Sequence, residues 1–169
     1  SLKRAEMQEM DVQPVAVELI ALVCVERSRL AAEHAGIQIQ FDLPSDLPMV
    51  YGDSKLLGQV FDNLLDNAIK FSPDGGVIAV RLYRRISVVE IAVSDTGIGM
   101  PADRLEYIWE RFYQIDGAST RRFSGVGLGL PIAKRIIDAH DGRIWAESKP
   151  SEGSTFHFTL PICLPDGEG

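Results

Sequence analysis

Four short segments follow one another in a fixed order: NLLDNAIKF (Asn63 to Phe71), DTGIG (Asp95 to Gly99), ERF (Glu110 to Phe112) and GVGLGL (Gly125 to Leu130). Singly each is weak. The order constrains the fold, because a helix, a glycine turn and a loop-to-helix hinge must all face one pocket. The first segment offers amides and a lysine. The second offers a carboxylate in a glycine turn. The last offers glycines opening a helix, where backbone N–H groups hold phosphate. Together they describe a pocket for a nucleoside triphosphate.

The rest of the chain supplies the scaffold. Val15 to Ala35 has helical periodicity and ends at Gly36, a natural C-cap. IQIQFDL (Ile37 to Leu43) alternates apolar and polar residues and predicts a half-buried strand. After the turn Pro44 to Pro48, Met49 to Tyr51 form a short strand, and Asp53 caps a helix running to Phe71. SPDGG is a turn; Val77 to Arg84 and Ser87 to Ser94 predict a hairpin. Pro101 opens a short helix to about Trp109, and Tyr113 to Ser124 form a polar loop without periodicity. Gly127 to His140 is helical and stops at Gly142; Arg143 to Ser148 and Ser154 to Leu160 are the last strands. Helices inserted among hairpin-linked strands imply a two-layer α/β sandwich with helices on one face of a mixed sheet.

The Asp53 to Phe71 helix is the most instructive element. At about 100° per residue, Leu56, Leu57, Val60, Phe61, Leu64, Leu65 and Ala68 share one apolar arc. Asn67 falls inside that arc, with Asn63 and Lys70 at its edge. A buried amide without partners costs roughly 1–3 kcal/mol. Asn67 therefore either bonds neighbouring backbone or belongs to a polar notch suited to a metal ion and phosphates. DTGIGM also supports two readings. Asp and Gly are turn residues; equally, the glycines let backbone approach a flat base while the carboxylate accepts from an exocyclic amine, which adenine has and guanine lacks at that place. GVGLGLP is neither a dinucleotide fingerprint, since no strand precedes it, nor a Walker loop, since no Lys-Ser or Lys-Thr follows. Arg121 and Arg122 are either solvated or placed to reach a γ-phosphate and close a lid.

Composition removes competing classes. A chain of 169 residues is one domain with a real core. Its net charge of -7 argues against nucleic acid as a partner. No apolar run reaches the roughly eighteen residues of a membrane span, and no signal peptide is visible. Cys24 and Cys163 lack metal-like spacing, and a reducing cytoplasm fits. The histidines take ordinary roles: His34 ends a helix, His140 sits near a helix end where positive charge suits the dipole, and His157 alternates with Phe156 and Phe158 and faces solvent. None reads as a phosphoacceptor.

In this order the motifs resemble the catalytic, ATP-binding domain of sensor histidine kinases, in the superfamily that includes gyrase, heat-shock chaperones and mismatch-repair ATPases. The resemblance covers roughly residues 12 to 162. It implies a Bergerat-type ATP-binding fold: a mixed, mostly antiparallel sheet covered on one face by three main helices. It also implies roles. Asn67 resembles the Mg²⁺ ligand, with Asn63 beside it; Lys70 resembles a phosphate contact and Phe71 part of the adenine wall. Asp95 resembles the adenine-reading carboxylate, supported by Gly97 and Gly99. Phe112 resembles the lid anchor, with Arg121 and Arg122 in the lid. Gly125, Gly127 and Gly129 resemble the phosphate-side glycines, with Leu128 and Leu130 packing the helix. Asn63, Lys70 and Arg122 are the catalytic candidates. Val126 departs from the family, where a hydroxyl residue is common. The expected organisation is residues 1–14 as linker or end of an upstream dimerisation helix, 15–162 as catalytic domain and 163–169 as tail.

The implied activity is transfer of the ATP γ-phosphoryl to a histidine on a separate dimerisation domain, in two-component signalling with a response regulator. The alternatives are an ATP hydrolase or a nucleotide-binding module of the same superfamily. Asn63 separates the first two: the hydrolases resembled here place a glutamate there as general base, and an amide cannot accept a proton at neutral pH. The expected location is cytoplasmic, this segment not spanning a membrane.

Overall fold

The computed structural model describes residues 9–110 and 126–164. In chain order the elements are β1 (Gln13–Val15), α1 (Val17–His34), β2 (Ile37–Phe41), β3 (Val50–Gly52), α2 (Ser54–Lys70), β4 (Gly76–Arg84), β5 (Val88–Asp95), a 3₁₀ turn (Ala102–Arg104), α3 (Val126–Ala139), β6 (Ile144–Lys149) and β7 (Gly153–Pro161). Five strands form one sheet in the order β2-β4-β5-β7-β6. The β2–β4 pair is parallel and the other three are antiparallel, so the sheet is mixed and mostly antiparallel, as expected.

Strand alternation creates the core. Along β7, Phe156, Phe158 and Leu160 are buried while Thr155, His157 and Thr159 on the other face are not fully covered. Val89, Ile91 and Val93 of β5 join them, and α2 contributes Leu57, Val60, Phe61, Leu64, Leu65 and Ala68. Phe61 meets Phe158 edge-on, with ring centroids 5.4 Å apart. Cys24 lies in the core as expected, and burial pushes its thiol pKa up.

Two local differences have physical causes. Val15 ends a strand instead of starting a helix, because β1 pairs antiparallel with β3 in register Gln13↔Gly52. Asp53 anchors that ribbon: one carboxylate oxygen accepts from the Lys55 and Leu56 amides as N-cap, the other from the Asp11 amide. Burial alone would raise the pKa of Asp53, but these three donors outweigh it and hold the carboxyl below its ordinary value. After Pro101 the chain makes three-residue bonds (Tyr107 N–H to Arg104 O, Glu110 N–H to Tyr107 O) in place of the expected helix. A three-residue pitch eclipses Leu105 and Ile108, and both pack on the core.

Both downstream histidines also depart from expectation. His140 is buried, and its Nε2 accepts the Asp53 N–H at 3.0 Å. Its Nδ1 therefore carries the proton and donates to Ile136 O at 2.8 Å, so the ring is neutral here and is no dipole-stabilising cation. His157 does not face open solvent: it lies between Glu90 and Glu147, its ring stacked on Trp145.

Candidate nucleotide site

The C-terminal half of α2 brings the asparagine stripe to the edge of the core. Asn67 is 5% exposed, and neither Nδ2 nor Oδ1 has a hydrogen-bond partner. The backbone-satisfied alternative is thus not realised. An orphaned amide at this depth costs about 1–3 kcal/mol unless a ligand or a water supplies its partner. Asn63 is half-buried and its Nδ2 donates to Gly129 O at 3.1 Å, fastening α2 to the first turn of α3. Lys70 pairs with Asp66 at 3.2 Å across one helical turn; the pair is solvent-accessible and therefore weakly held.

Asp95 ends β5 and is 5% exposed. Its Oδ1 accepts from the Gly97 amide at 2.9 Å and the Ser154 amide at 3.2 Å; its Oδ2 has no partner. Burial pushes the pKa of this carboxyl up to about 6, against the downward pull of the two amides. One oxygen is thus fixed by backbone, and the other is buried and uncommitted.

Close backbone packing aligns the two groups. A Cβ on Gly97 would lie 1.9 Å from Phe71 O, the carbonyl that accepts the Ile98 N–H at 3.0 Å. The carboxylate turn therefore rests directly on the C-terminus of α2. The Phe71 ring is buried, and the contact the structure gives to this turn is through its carbonyl. Gly99 (φ +67°) has Lys149 O at 1.9 Å from its would-be Cβ. Gly153 (φ +100°) has Asp95 O at 2.0 Å. Ser151 N–H donates to Ile98 O at 2.7 Å, and Met100 N–H to Ser148 Oγ at 2.7 Å. The β6–β7 turn therefore wraps the Asp95 turn.

Gly153 and Ser154 were not singled out by the sequence, where they read only as the end of a turn and the start of a strand. Their role comes from register: pairing Ser94 with Thr155 sets the start of β7 beside the end of β5. On the other side, α3 starts at Val126, so the backbone of Gly127, Leu128 and Gly129 belongs to its first turn. Pro131 within α3 cannot donate to the carbonyl four residues back, which leaves that turn loosely bonded. Leu130 is buried, as expected. Phe112, Arg121, Arg122 and Gly125 lie outside the described residues, as does the expected loop Tyr113 to Ser124.

The site thus has two orphaned polar groups about one helix end. Asn67 offers a neutral oxygen of the kind Mg²⁺ accepts. Among the described residues no cluster of three or more His, Cys, Asp or Glu could hold a metal. The uncommitted Asp95 oxygen suits an amine donor.

Residues 52–163 match the family described as histidine kinase-, DNA gyrase B-, and HSP90-like ATPase, and the chain belongs to that family. More particularly, it is similar to sensor kinases. It is 42% identical over 149 residues to the adaptive-response sensory kinase SasA of Nostoc sp., covering 85% of this chain and 36% of the relative. It is 46% identical over 126 residues to SasA of Synechococcus elongatus, covering 74% of this chain and 32% of that one. The chain thus spans about a third of the length of these curated relatives. Among solved structures, full-length ShkA in complex with AMPPNP superposes with a TM-score of 0.79 at 27% identity, over 92% of this chain and 32% of that one. The mycobacterial sensor histidine kinase MprB superposes at 0.75 and 29% identity, over 90% and 98%. No helix among the described residues is long and apolar enough to cross a membrane.

Proposed function

We propose that this domain binds ATP with Mg²⁺ and presents the γ-phosphoryl to a histidine on a separate dimerisation domain of its parent kinase. One observation carries the reading: Asn67 is buried with both amide atoms unpartnered, on the helix whose end supports the Asp95 turn. Asp95 Oδ2 accepts from the exocyclic amine of adenine, while Gly97 and Gly99 let backbone lie close to the ring. Asn67 Oδ1 would hold Mg²⁺, which neutralises charge on the phosphates when bound. Lys70 swings from Asp66 to phosphate. Phe112, Arg121, Arg122, Gly125, Gly127 and Leu128 are assigned to the lid and phosphate side by resemblance.

The β–γ bridging bond of ATP breaks and ADP leaves as an imidazole nitrogen takes the phosphoryl. His140 and His157 are poor acceptors, since the first spends both ring nitrogens on backbone and the second sits between carboxylates. Hydrolysis is disfavoured because Asn63 is an amide that already donates to Gly129 O and cannot deprotonate water. A response regulator then receives the phosphoryl from the parent kinase in the cytoplasm.

Calorimetric titration with Mg²⁺ and ATP or GTP tests the reading. Clear preference for ATP, with binding lost in Asn67→Ala while the fold persists, is the expected result. Equal affinity for GTP, or undiminished binding by Asn67→Ala, would refute it.

A further inference from the structure

Beside the Asp95 turn a single hydroxyl joins three chain segments. Ser148 lies on β6 opposite Ser154 of β7. Its Oγ accepts the Met100 N–H at 2.7 Å and donates to Gly153 O at 3.0 Å. The Ser154 hydroxyl lies 2.8 Å from the same atom. Ser148 has one hydroxyl proton, so with that proton on Gly153 O the Ser154 hydroxyl is the donor of the pair. The one donor and both lone pairs of Ser148 are then used, in a half-buried side chain next to the buried Ser154.

Gly153 O and Ser154 N–H are the two ends of one peptide group. That peptide is trans, so the two ends point in opposite directions. Ser148 holds the carbonyl end, and Asp95 Oδ1 receives the amide end at 3.2 Å. Gly153 makes this peptide easy to turn over: it sits at φ +100° and carries no Cβ to hinder rotation. A turned peptide would aim its carbonyl oxygen at the Asp95 carboxylate. The Ser148 hydroxyl opposes that rotation by holding Gly153 O, and a carbonyl polarised by a hydrogen bond makes the N–H at its other end a stronger donor. Because Ser148 also takes the Met100 N–H, the peptide is fixed in step with the turn that contains Gly97 and Gly99.

We propose that Ser148 is a positioning residue of the nucleotide site: its hydroxyl locks the Gly153–Ser154 peptide with its N–H on Asp95 Oδ1, and so leaves Oδ2 as the open acceptor. Gly97 N–H binds the same Oδ1 at 2.9 Å. With that donor alone, the carboxylate can roll about its broad terminal torsion and present either oxygen. Two donors converging on one oxygen fix the roll. The use made of Oδ2 rests on the adenine reading proposed above; the lock on the peptide does not.

NMR reads the lock in the empty protein. Amides that donate to a carboxylate shift downfield as it loses its proton, so the Gly97 and Ser154 amide resonances should both follow the titration of Asp95 Cγ. In Ser148→Ala the Ser154 amide should cease to follow while Gly97 continues. The Asp95 midpoint should move upward, because one of the two amides that hold it down is lost. Ser148→Thr, which keeps the hydroxyl, should behave as the parent. A role confined to bracing the β6–β7 turn would lower the urea midpoint of Ser148→Ala and leave its Ser154 response intact. That result would overturn the proposal, as would loss of both amide responses in Ser148→Ala or loss of the Ser154 response in Ser148→Thr. ATP affinity, measured by calorimetry, should fall about fivefold in Ser148→Ala; undiminished affinity would also overturn it. Equal affinity of the parent for ATP and GTP, with the amide responses as expected, would refute the adenine reading and leave the peptide lock standing.

Discussion

The two sides of the nucleotide site are built on opposite plans. Around Asp95 nearly every backbone group is spoken for: Gly97 and Ser154 amides hold one oxygen, Ile98 bonds Phe71 and Ser151, and three glycines sit where no Cβ fits. Around Asn67 the structure leaves a buried amide with no partner at all. On the Asp95 side the backbone is bonded internally and one side-chain oxygen, Oδ2, stays open; on the Asn67 side both polar atoms of a whole amide stay open. Preorganised donors and acceptors supply specificity because they do not reorganise on binding. An orphaned amide lowers stability in the empty protein and is compensated when the missing partner is supplied.

Substitution should separate the two plans. The largest effect belongs to Gly97→Ala. Its Cβ meets a carbonyl at 1.9 Å, so the turn must leave the end of α2. We expect destabilisation of roughly 1–3 kcal/mol or more in urea unfolding together with loss of nucleotide binding; a native-like denaturation midpoint would contradict the close packing. Asn67→Leu should lose binding while unfolding at an equal or higher midpoint, because an unpaired amide is removed from an apolar setting. If the Asn67→Leu variant were clearly less stable than the parent, Asn67 would serve structure.

The pH response of Asp95 has opposite signs in the two measurements. Its folded pKa, about 6, lies above the ordinary value of 3.8. Its stabilising contribution is therefore fully present below about pH 3.8 and lost as pH rises through about 6. Stability measured from pH 7 down to 5 should gain from this group by roughly 1 kcal/mol. Affinity for ATP should fall over the same interval, since the protonated carboxyl is a poorer acceptor for the adenine amine. Asp95→Asn should flatten both trends; a parent affinity independent of pH between 7 and 5 would exclude the carboxylate from base reading. Asp53 opposes the stability trend only in stronger acid, since its depressed pKa means its contribution is lost as pH falls through that lower value.

The smaller effects lie at the rim. Among the described residues a Cβ on Gly129 would meet only Asn63 atoms at 3.8 Å, an ordinary contact. Gly129→Ala should therefore stabilise the protein by roughly 0.5–1 kcal/mol, in contrast to the same change at Gly97. Asp66→Asn, which frees Lys70, should shift stability by less than about 0.5 kcal/mol. A large loss of stability there would mean the pair is more than a surface contact.

Much of this contrast was legible before the fold was known. The apolar arc of α2 with Asn67 inside it follows from helical geometry alone, and burial of Asn67 confirms the arc. Strand alternation likewise predicted β2 and the alternating face of β7. What could not be read locally was anything set by register. Gly153 and Ser154 acquire their role only because β7 pairs beside β5. His140 is neutral only because α3 delivers it to the Asp53 amide, 87 residues earlier. His157 occupies an outward strand position, as alternation requires, but diagonal carboxylates on two neighbouring strands enclose it. The Gln13–Val15 strand was hidden because three residues are too few for a periodic signal.

The β-hairpin tips also differ in what could be spliced into them. The tip between β4 and β5 is bare: Ile86 is fully solvent-exposed and the turn is closed by the Arg85 N–H to Val88 O bond. The tip between β6 and β7 looks equally peripheral along the chain, yet its backbone is the outer shell of the Asp95 turn. A reporter peptide or affinity tag inserted after Ile86 would leave the nucleotide site untouched. The same insertion after Ser151 would pull the Ser154 amide from Asp95, turning a routine tagging choice into an inactivating one.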